Sequence, residues 1–304
     1  MEIVDATAVR GHVPRDSHRE GVIEFRRLGE GEAGELGYFT YTLVRFERYY
    51  TPRHRHNYDQ LRYCLRGEFP YAHRKVIREG WLGYFPEGTF YGPQDVTSTL
   101  DASPEVLTVQ FGSASMQGFV PGSALHAARE ELAVEGRFER GTYIRTRSDG
   151  TEERTDGYEA AWSRVTGRPL VYPAARFAEP VLMDPRAFSW FPTDSPGVAE
   201  RLLGSFGERG VRVSFLRLDD GARALVGRPA AAVCAFVTSG AVALDGRRLP
   251  ASTALTLQPG ERAELVGDGG GEVYLAQLPD LTVPPLQSGA PAGLDAVPEP
   301  AATR

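Results

Sequence analysis

The chain has 304 residues, enough for two domains with separate cores, and 41% hydrophobic and 24% charged residues, as in globular proteins. Its net charge of −6 argues against a broad nucleic-acid-binding face, which needs surplus basic charge. The sequence shows no secretory signal and no apolar stretch of membrane-spanning length, so we expect no membrane partner. Cys64 and Cys234 fit no zinc or redox spacing, and we expect them to be buried free thiols in a cytoplasmic protein.

The N-terminal half of the chain contains closely spaced strand signals. After an extension over residues 1–34, β-branched and aromatic residues alternate between glycine and proline breaks. Short strands at such spacing are typical of a sandwich or barrel, which we place at 35–115. The predicted strands are 37–48, 60–66, 70–77, 82–85 and 106–111.

The next segment, residues 116–207, has a different pattern. PGSALHAAREELAV, at 121–134, opens with proline and serine and continues with good helix formers, which predicts a helix. SPGVAERLLGSF, at 195–206, predicts a second helix, and the polar run at 147–157 predicts a loop. This segment also holds the aromatic clusters GYEAAW and FSWFP, so it either caps a barrel mouth or bridges two barrels.

Strand signals return in the C-terminal part of the chain, where we expect a second barrel over 208–280. Asp245 and Gly246 lie between two strand-like arms, a strong hairpin signal. Residues 281–304 are rich in proline and alanine and are expected to form a disordered tail. The predicted strands here are 211–218, 231–238, 241–249 and 253–257.

The stretch RHRHNYDQ, residues 53–60, holds the strongest candidate site. Successive strand side chains point to opposite faces, so His54, His56 and Gln60 can face one interior. When Gly67 is aligned with Gly240 in the second block, no residue that binds a metal falls on these three positions. The second copy therefore builds a barrel without the histidines, which indicates that they are not needed for the fold.

This spacing resembles the first sequence motif of the cupin superfamily, G-x5-H-x-H-x3-4-E-x6-G. His54, His56 and Gly67 match the motif, while Gln60 holds the glutamate position and the leading glycine is absent. The chain therefore resembles a two-domain cupin, or bicupin.

A second segment resembles the second cupin motif, G-x5-P-x-G-x2-H-x3-N. GWLGYFPEGTFYGPQD supplies Gly80, Pro86 and Gly88, with Tyr91 in the histidine position and Asp95 in the asparagine position. The resemblance implies an all-β-dominated fold of two double-stranded β-helix (jelly-roll) barrels, the C-terminal one degenerate and without ligands. It also implies packing of barrels in pairs, within the chain or in a homodimer.

The resemblance further implies one divalent transition metal (Fe, Mn, Ni or Zn) in the N-terminal barrel. Its ligands would be His54, His56, Gln60 through its carbonyl oxygen, and Tyr91 as a phenolate. No nucleotide, PLP or haem is expected. The alternative that stays open is a metal-free cupin in which both histidines are hydrogen-bonded barrel residues.

Arg62 and Tyr91 are the candidate catalytic residues. Arg62 is two residues from Gln60 in the same predicted strand, so its side chain points to the same inward face. A guanidinium inside a barrel is energetically costly unless it meets an anion, such as a substrate carboxylate or enolate. The alternative is a register shift that brings Arg62 to the surface. Tyr91 beside a metal would act in general acid/base catalysis.

Three functions remain open from the sequence. The first is a metal-dependent bicupin enzyme on a small carboxylate or aromatic metabolite, with oxygenases or dioxygenases slightly favoured by their frequency in the family. The second is a metal-independent cyclase, isomerase, dehydratase or lyase that uses His54, His56 and Tyr91 as acid/base groups. The third is a non-enzymatic cupin that binds a small ligand. A role in specialised metabolism is a further hypothesis.

Overall fold

The computed structural model describes residues 1–14, 20–35, 37–115 and 119–284, and about half of these residues lie in strands, all of them paired antiparallel. The first part of the chain forms β1 (Glu2–Asp5), β2 (Glu20–Glu30), β3 (Phe39–Thr51), β4 (Asp59–Arg66), β5 (Glu68–Ala72), β6 (Lys75–Arg78), β7 (Leu82–Phe85), β8 (Gln94–Val96) and β9 (Glu105–Phe111).

The middle of the chain contains both α-helices of the described residues. It forms α1 (Gly122–Glu135), β10 (Arg137–Glu139), β11 (Thr142–Thr146), β12 (Glu152–Asp156), α2 (Gly157–Thr166), β13 (Val181–Met183) and β14 (Phe191–Pro192). The C-terminal part forms β15 (Val198–Phe206), β16 (Val211–Leu218), β17 (Arg223–Val226), β18 (Val233–Leu244), β19 (Arg247–Pro250), β20 (Thr253–Leu257) and β21 (Ala263–Gln277). Short 3-10 helices lie at Leu100–Ala102 and Pro185–Ala187.

The strands form two barrels of the jelly-roll type. The sheet of the N-terminal barrel has the order β13-β7-β4-β9-β3-β2, with β8 paired to β3 and with β5 and β6 as a separate hairpin. The sheet of the C-terminal barrel has the order β1-β20-β18-β21-β16-β15-β14, with β17 paired to β21 and β19 paired to β18. Strands from outside 35–115 and 208–280 thus join both sheets, and those domain limits stay a proposal.

Strand β4 shows how alternation divides side chains between two cores. Leu61 and Tyr63 pack in the core between the barrels, whereas Cys64 lies in the core of the N-terminal barrel. Gln60 and Arg62 have the parity of Cys64 and are buried. The predicted inward direction of these side chains is confirmed. The alternative of a surface Arg62 is wrong, because pairing with β7 and β9 fixes the register of β4 and the Arg62 side chain lies on its buried inner face.

The interior of the C-terminal barrel is apolar. Val233, at the position aligned with Gln60, packs there with Val237 and Val273. The aligned glycines, Gly67 and Gly240, have φ of 78° and 65°, a backbone conformation that glycine adopts at little cost. The shared frame therefore persists in the second barrel without the polar residues.

Aromatic residues join the two barrels. Tyr63 stacks on Tyr274 with ring centroids 5.5 Å apart and an interplanar angle of 9°, and Phe215 packs edge-on to both. The continuous apolar contact between the sheets provides the predicted packing of one barrel on the other.

Several local predictions are confirmed. The helix predicted at 121–134 is α1, and the Asp-Gly hairpin joins β18 to β19, with φ of 51° at Asp245 and 77° at Gly246. Both positive φ values fit the two-residue turn that such a sequence favours. Cys64 and Cys234 are buried free thiols. In the part of the chain that the structure describes, no helix is long and apolar enough to span a membrane.

Other local predictions are wrong. The segment predicted as a helix at 195–206 forms β15, because eight of its residues pair with β16, and this tertiary pairing outweighs its helix propensity. The run 70–77 is a hairpin that turns at Arg74, where φ is 57°, and the loop predicted at 147–157 contains β12. The predicted disordered tail lies, from residue 285 onward, outside the described residues.

Candidate functional site

The candidate site lies where two segments of the N-terminal barrel meet. His54 and Tyr91 form an antiparallel bridge in which each backbone amide donates to the carbonyl of the other at 2.9 Å. The amide of Gly88 donates to the carbonyl of His56 at 2.8 Å. These bonds attach the turn after β7 to the RHRHNYDQ segment, as the second motif predicts.

Gly88 is required in this turn for two physical reasons. Its φ is 73°, and a Cβ there would lie 2.5 Å from the carbonyl oxygen of Pro173. Any other residue would strain the backbone and collide with the segment that connects the barrels. The close approach helps to hold Tyr91 beside the two histidines.

Gln60 is the centre of a buried hydrogen-bond network. Its Oε1 accepts from Arg62 Nη2 at 2.8 Å and Nε at 3.2 Å, and from Gln110 Nε2 at 3.3 Å. Its Nε2 donates to Tyr91 Oη at 2.9 Å and lies 2.8 Å from His56 Nδ1. Because guanidinium groups only donate, the amide oxygen must face Arg62 and the amide nitrogen must face His56 and Tyr91.

Arg62 is a buried cation surrounded by aromatic rings. The residue is only 9% exposed, and its guanidinium carbon lies 4.8 Å from the ring centroid of Phe85, 5.2 Å from Phe69 and 5.3 Å from Tyr91. Nη2 also lies 3.4 Å from Tyr91 Oη, whereas Nη1 has no hydrogen-bond partner in the part of the chain that the structure describes. The described part of the chain supplies no carboxylate that pairs with this charge.

The two histidines are held by different partners. His54 Nδ1 lies 2.7 Å from the carbonyl oxygen of Pro52, and the His54 ring packs 4.3 Å from the ring of Tyr91. His56 Nδ1 lies 2.8 Å from Tyr91 Oη, and the His56 ring stacks on Tyr58 at 4.5 Å. The structure thus brings together all five predicted site residues, and their roles stay predictions.

An aromatic cover from the middle of the chain lies over His56. Asp156 caps α2 by accepting from two backbone amides, and the helix carries Tyr158 and Trp162, which are each 1% exposed. Tyr158 packs edge-on to the ring of His56 at 5.1 Å, and its hydroxyl donates to Asn57 Oδ1 at 2.8 Å. Helix α2 therefore covers His56, and the role of the whole segment as a cap of the barrel mouth stays a prediction.

Asp59 lies on the opposite face of β4 from Gln60. Its carboxylate accepts from the Tyr84 hydroxyl and from the Glu87 amide, both at 2.8 Å. Burial raises the pKa of Asp59 to about 7, and the nearby Glu87 carboxylate adds to the increase. Asp59 supports the turn that carries Tyr91 and does not belong to the polar cluster itself.

Gln110, Asn57 and Tyr158 are the site residues that the sequence interpretation missed. Gln110 lies opposite Gln60 across the β4–β9 pair and also donates to Tyr58 Oη at 3.1 Å. Its inward position follows from alternation along the predicted strand 106–111, so parity was a usable signal. Tyr158 belongs to the aromatic cluster GYEAAW, but nothing in the sequence paired it with Asn57, because their contact joins residues 101 positions apart.

The predicted four-ligand metal set does not fit this arrangement. Gln60 presents N–H donors to His56 and Tyr91, and its carbonyl oxygen is occupied by Arg62. The guanidinium 3.4 Å from Tyr91 Oη also opposes a second cation. Within the described residues, no group of three or more histidine, cysteine, aspartate or glutamate side chains could hold a metal ion.

Comparisons with known proteins show the fold. No family model and no curated protein matches the chain. A Nostoc punctiforme protein, provisionally assigned as a dioxygenase, is similar with a TM-score of 0.60 and 14% identity, over 95% of this chain and 87% of its own. A structure of oxalate decarboxylase has a TM-score of 0.50 and 13% identity, over 93% of this chain and 78% of its own.

Both similar structures are bicupins, and identities this low establish the architecture alone. The two jelly-roll barrels, their packing and the retained motif glycines agree with that architecture. The chain therefore has the two-barrel cupin fold, with an altered ligand motif in the N-terminal barrel and no histidine in the C-terminal barrel.

Proposed function

We propose that the N-terminal barrel is the active site of a metal-independent isomerase or lyase that transfers protons on a small organic carboxylate. The observation that carries the proposal is Arg62, a buried guanidinium whose Nη1 has no hydrogen-bond partner among the described residues. The aromatic faces around it offset only part of the desolvation cost of a buried charge. An anionic substrate would supply the missing hydrogen-bond acceptor and the counter-charge.

The neighbouring residues supply groups that exchange protons. His54, His56 and Tyr91 lie within one hydrogen-bonded or ring-packed cluster, beside the cation. A neutral imidazole can remove a proton from the carbon next to the substrate carboxylate, and the Arg62 charge stabilises the enolate that forms. Return of a proton to another atom completes an isomerisation, and departure of a neighbouring group completes an elimination.

Solvent-deuterium exchange tests this proposal across a range of candidate substrates. The protein is incubated in deuterium oxide with a panel of small 2-hydroxy carboxylates, in which the carbon next to the carboxylate carries a proton, and proton NMR follows exchange of that proton. We expect catalysed exchange in one or more compounds and its loss in Arg62→Met. Arg53→Met is the matched control, because Arg53 is exposed and packs on Phe90 outside the barrel.

The metal-dependent enzyme, including a dioxygenase, remains a second candidate because of one observation. The carbonyl of Pro52 accepts from His54 Nδ1, and metal-binding histidines commonly donate their second ring nitrogen to such a group. Elemental analysis of protein purified without chelator, beside a His54→Ala/His56→Ala double variant, separates the candidates. One equivalent of metal that disappears in the double variant would contradict our proposal.

A non-enzymatic binding protein is the third candidate. Such a protein would use the same anion site at Arg62 as the proposed enzyme. In that case we expect carboxylates to bind without exchange of their protons. Calorimetric titration of the same panel therefore distinguishes binding alone from binding followed by exchange.

A further inference from the structure

The orientation of the Gln60 side-chain amide determines the chemistry of its neighbours. Three N–H groups, two from Arg62 and one from Gln110, point to Oε1, and none of them can accept a hydrogen bond. A flipped amide would bring its own N–H groups against these donors. The amide nitrogen is therefore held toward His56 and Tyr91.

This orientation assigns a tautomer to His56. Gln60 Nε2 can only donate, and it lies 2.8 Å from His56 Nδ1, so Nδ1 must accept. Tyr91 Oη accepts a hydrogen bond from Gln60 Nε2. Tyr91 Oη also lies 2.8 Å from His56 Nδ1, to which it can donate its own hydroxyl proton. The proton of a neutral His56 ring is consequently on Nε2.

His54 has the opposite arrangement. The carbonyl oxygen of Pro52 can only accept, and it lies 2.7 Å from His54 Nδ1, so that nitrogen carries the proton. The lone pair of the neutral ring is then on Nε2. Two histidines that are one residue apart thus present unlike atoms, a basic nitrogen on His54 and an N–H donor on His56.

We propose that Gln60 is a positioning residue that holds His56 in the tautomer opposite to that of His54 and thereby keeps a metal cation out of the site. The amide hydrogens carry partial positive charge beside Nδ1 of His56 and Oη of Tyr91, where a ligand carboxylate would otherwise lie. In the isomerase or lyase proposed above, on which this assignment of roles rests, His54 is the base and His56 is the hydrogen-bond donor. The assignment of tautomers itself follows from the hydrogen bonds alone.

Nitrogen NMR tests the assignment directly. In protein labelled with ¹⁵N-histidine, long-range proton–nitrogen spectra distinguish the two neutral tautomers, at a pH well above the ordinary histidine pKa of about 6.5. Single His54→Gln and His56→Gln variants identify the two rings. We expect the Nδ1–H pattern for His54 and the Nε2–H pattern for His56, and a shared pattern would overturn the proposal.

The Gln60→Glu variant tests whether the Gln60 amide causes both the tautomer of His56 and the exclusion of a metal cation. A carboxylate of the same size accepts hydrogen bonds, so we expect His56 to adopt the Nδ1–H pattern, and we expect Co²⁺ to bind about 100-fold more tightly than to the wild type. Gln110→Glu is the matched control, because it adds the same charge beside Gln60 but not beside His56 Nδ1. Co²⁺ absorption spectra and titration calorimetry provide the readout.

A folded Gln60→Glu protein with the wild-type His56 pattern, or with unchanged Co²⁺ affinity, would overturn the role of Gln60. Equal tightening in Gln110→Glu would show a charge effect and would overturn it as well. The wild-type spectrum tests the tautomers even if the variant does not fold. Absence of deuterium exchange, by contrast, would contradict only the proposed function.

Discussion

Replacement of Asp59 by asparagine is expected to flatten the dependence of stability on pH. Asp59 is buried at the start of β4, and its pKa is raised from 3.8 to about 7 by burial and then by the Glu87 carboxylate. Hydrogen bonds from the Glu87 amide and the Tyr84 hydroxyl, together with the charge of Arg176, favour the ionised form but do not cancel this effect.

The size of the effect follows from the difference between the folded and unfolded pKa values. A folded pKa above the unfolded one means that the folded state retains a proton that the unfolded state has released. This contribution to stability is complete below pH 3.8 and is lost as pH rises through about 7. A difference of about 3 pH units corresponds to about 4 kcal/mol, lost at about 1.4 kcal/mol per pH unit.

Asparagine should keep the local geometry and remove the titration. Its oxygen can accept from the Glu87 amide, and its nitrogen can donate to the Tyr84 oxygen, so both contacts persist. The assay is urea unfolding, followed by tryptophan fluorescence, of both proteins at intervals from about pH 4.5 to pH 8. We expect the wild-type free energy of unfolding to fall relative to that of Asp59→Asn across this range.

Titrations of groups remote from Asp59 occur in both proteins and cancel in the difference. Asp194→Asn is the control, because it makes the same substitution at an exposed aspartate. Parallel curves for Asp59→Asn and the wild type would refute the reasoning, because they would show that Asp59 titrates alike in the folded and unfolded chain.

Three further predictions concern the anion site, the cover and the barrel contact. Arg62→Met should weaken carboxylate binding about 10- to 100-fold, as loss of a charged hydrogen bond implies, and unchanged affinity in calorimetry would contradict the anion site. Tyr158→Phe loses the bond to Asn57, worth about 1 kcal/mol, and should speed diethyl pyrocarbonate modification of His56 about five-fold by mass spectrometry; equal rates would argue against a cover. Tyr274→Ala should lower the free energy of unfolding by about 3–5 kcal/mol, and a loss under 1 kcal/mol would show that its stack on Tyr63 matters little.

Much of the N-terminal barrel was predictable because the signals are local. Alternation along 60–66 and 82–85 placed β4 and β7, and it placed Gln60 and Arg62 on the inner face. The motif spacing indicated that the turn after Pro86 returns Tyr91 to His54. Each of these inferences depends on the strand period or on a glycine or proline turn, which neighbouring residues determine.

The sequence by itself therefore determined the two-barrel fold, the central strands of the first barrel and five of the residues gathered inside it, namely His54, His56, Gln60, Arg62 and Tyr91. Only the tertiary structure decided that 195–206 is a strand, because pairing with β16 outweighs local propensity. It also decided that α2 covers His56 and that Gln60 turns its nitrogen toward His56. These outcomes depend on contacts between residues distant in the chain, such as Gln60 with Gln110 and Asn57 with Tyr158, which no local period encodes.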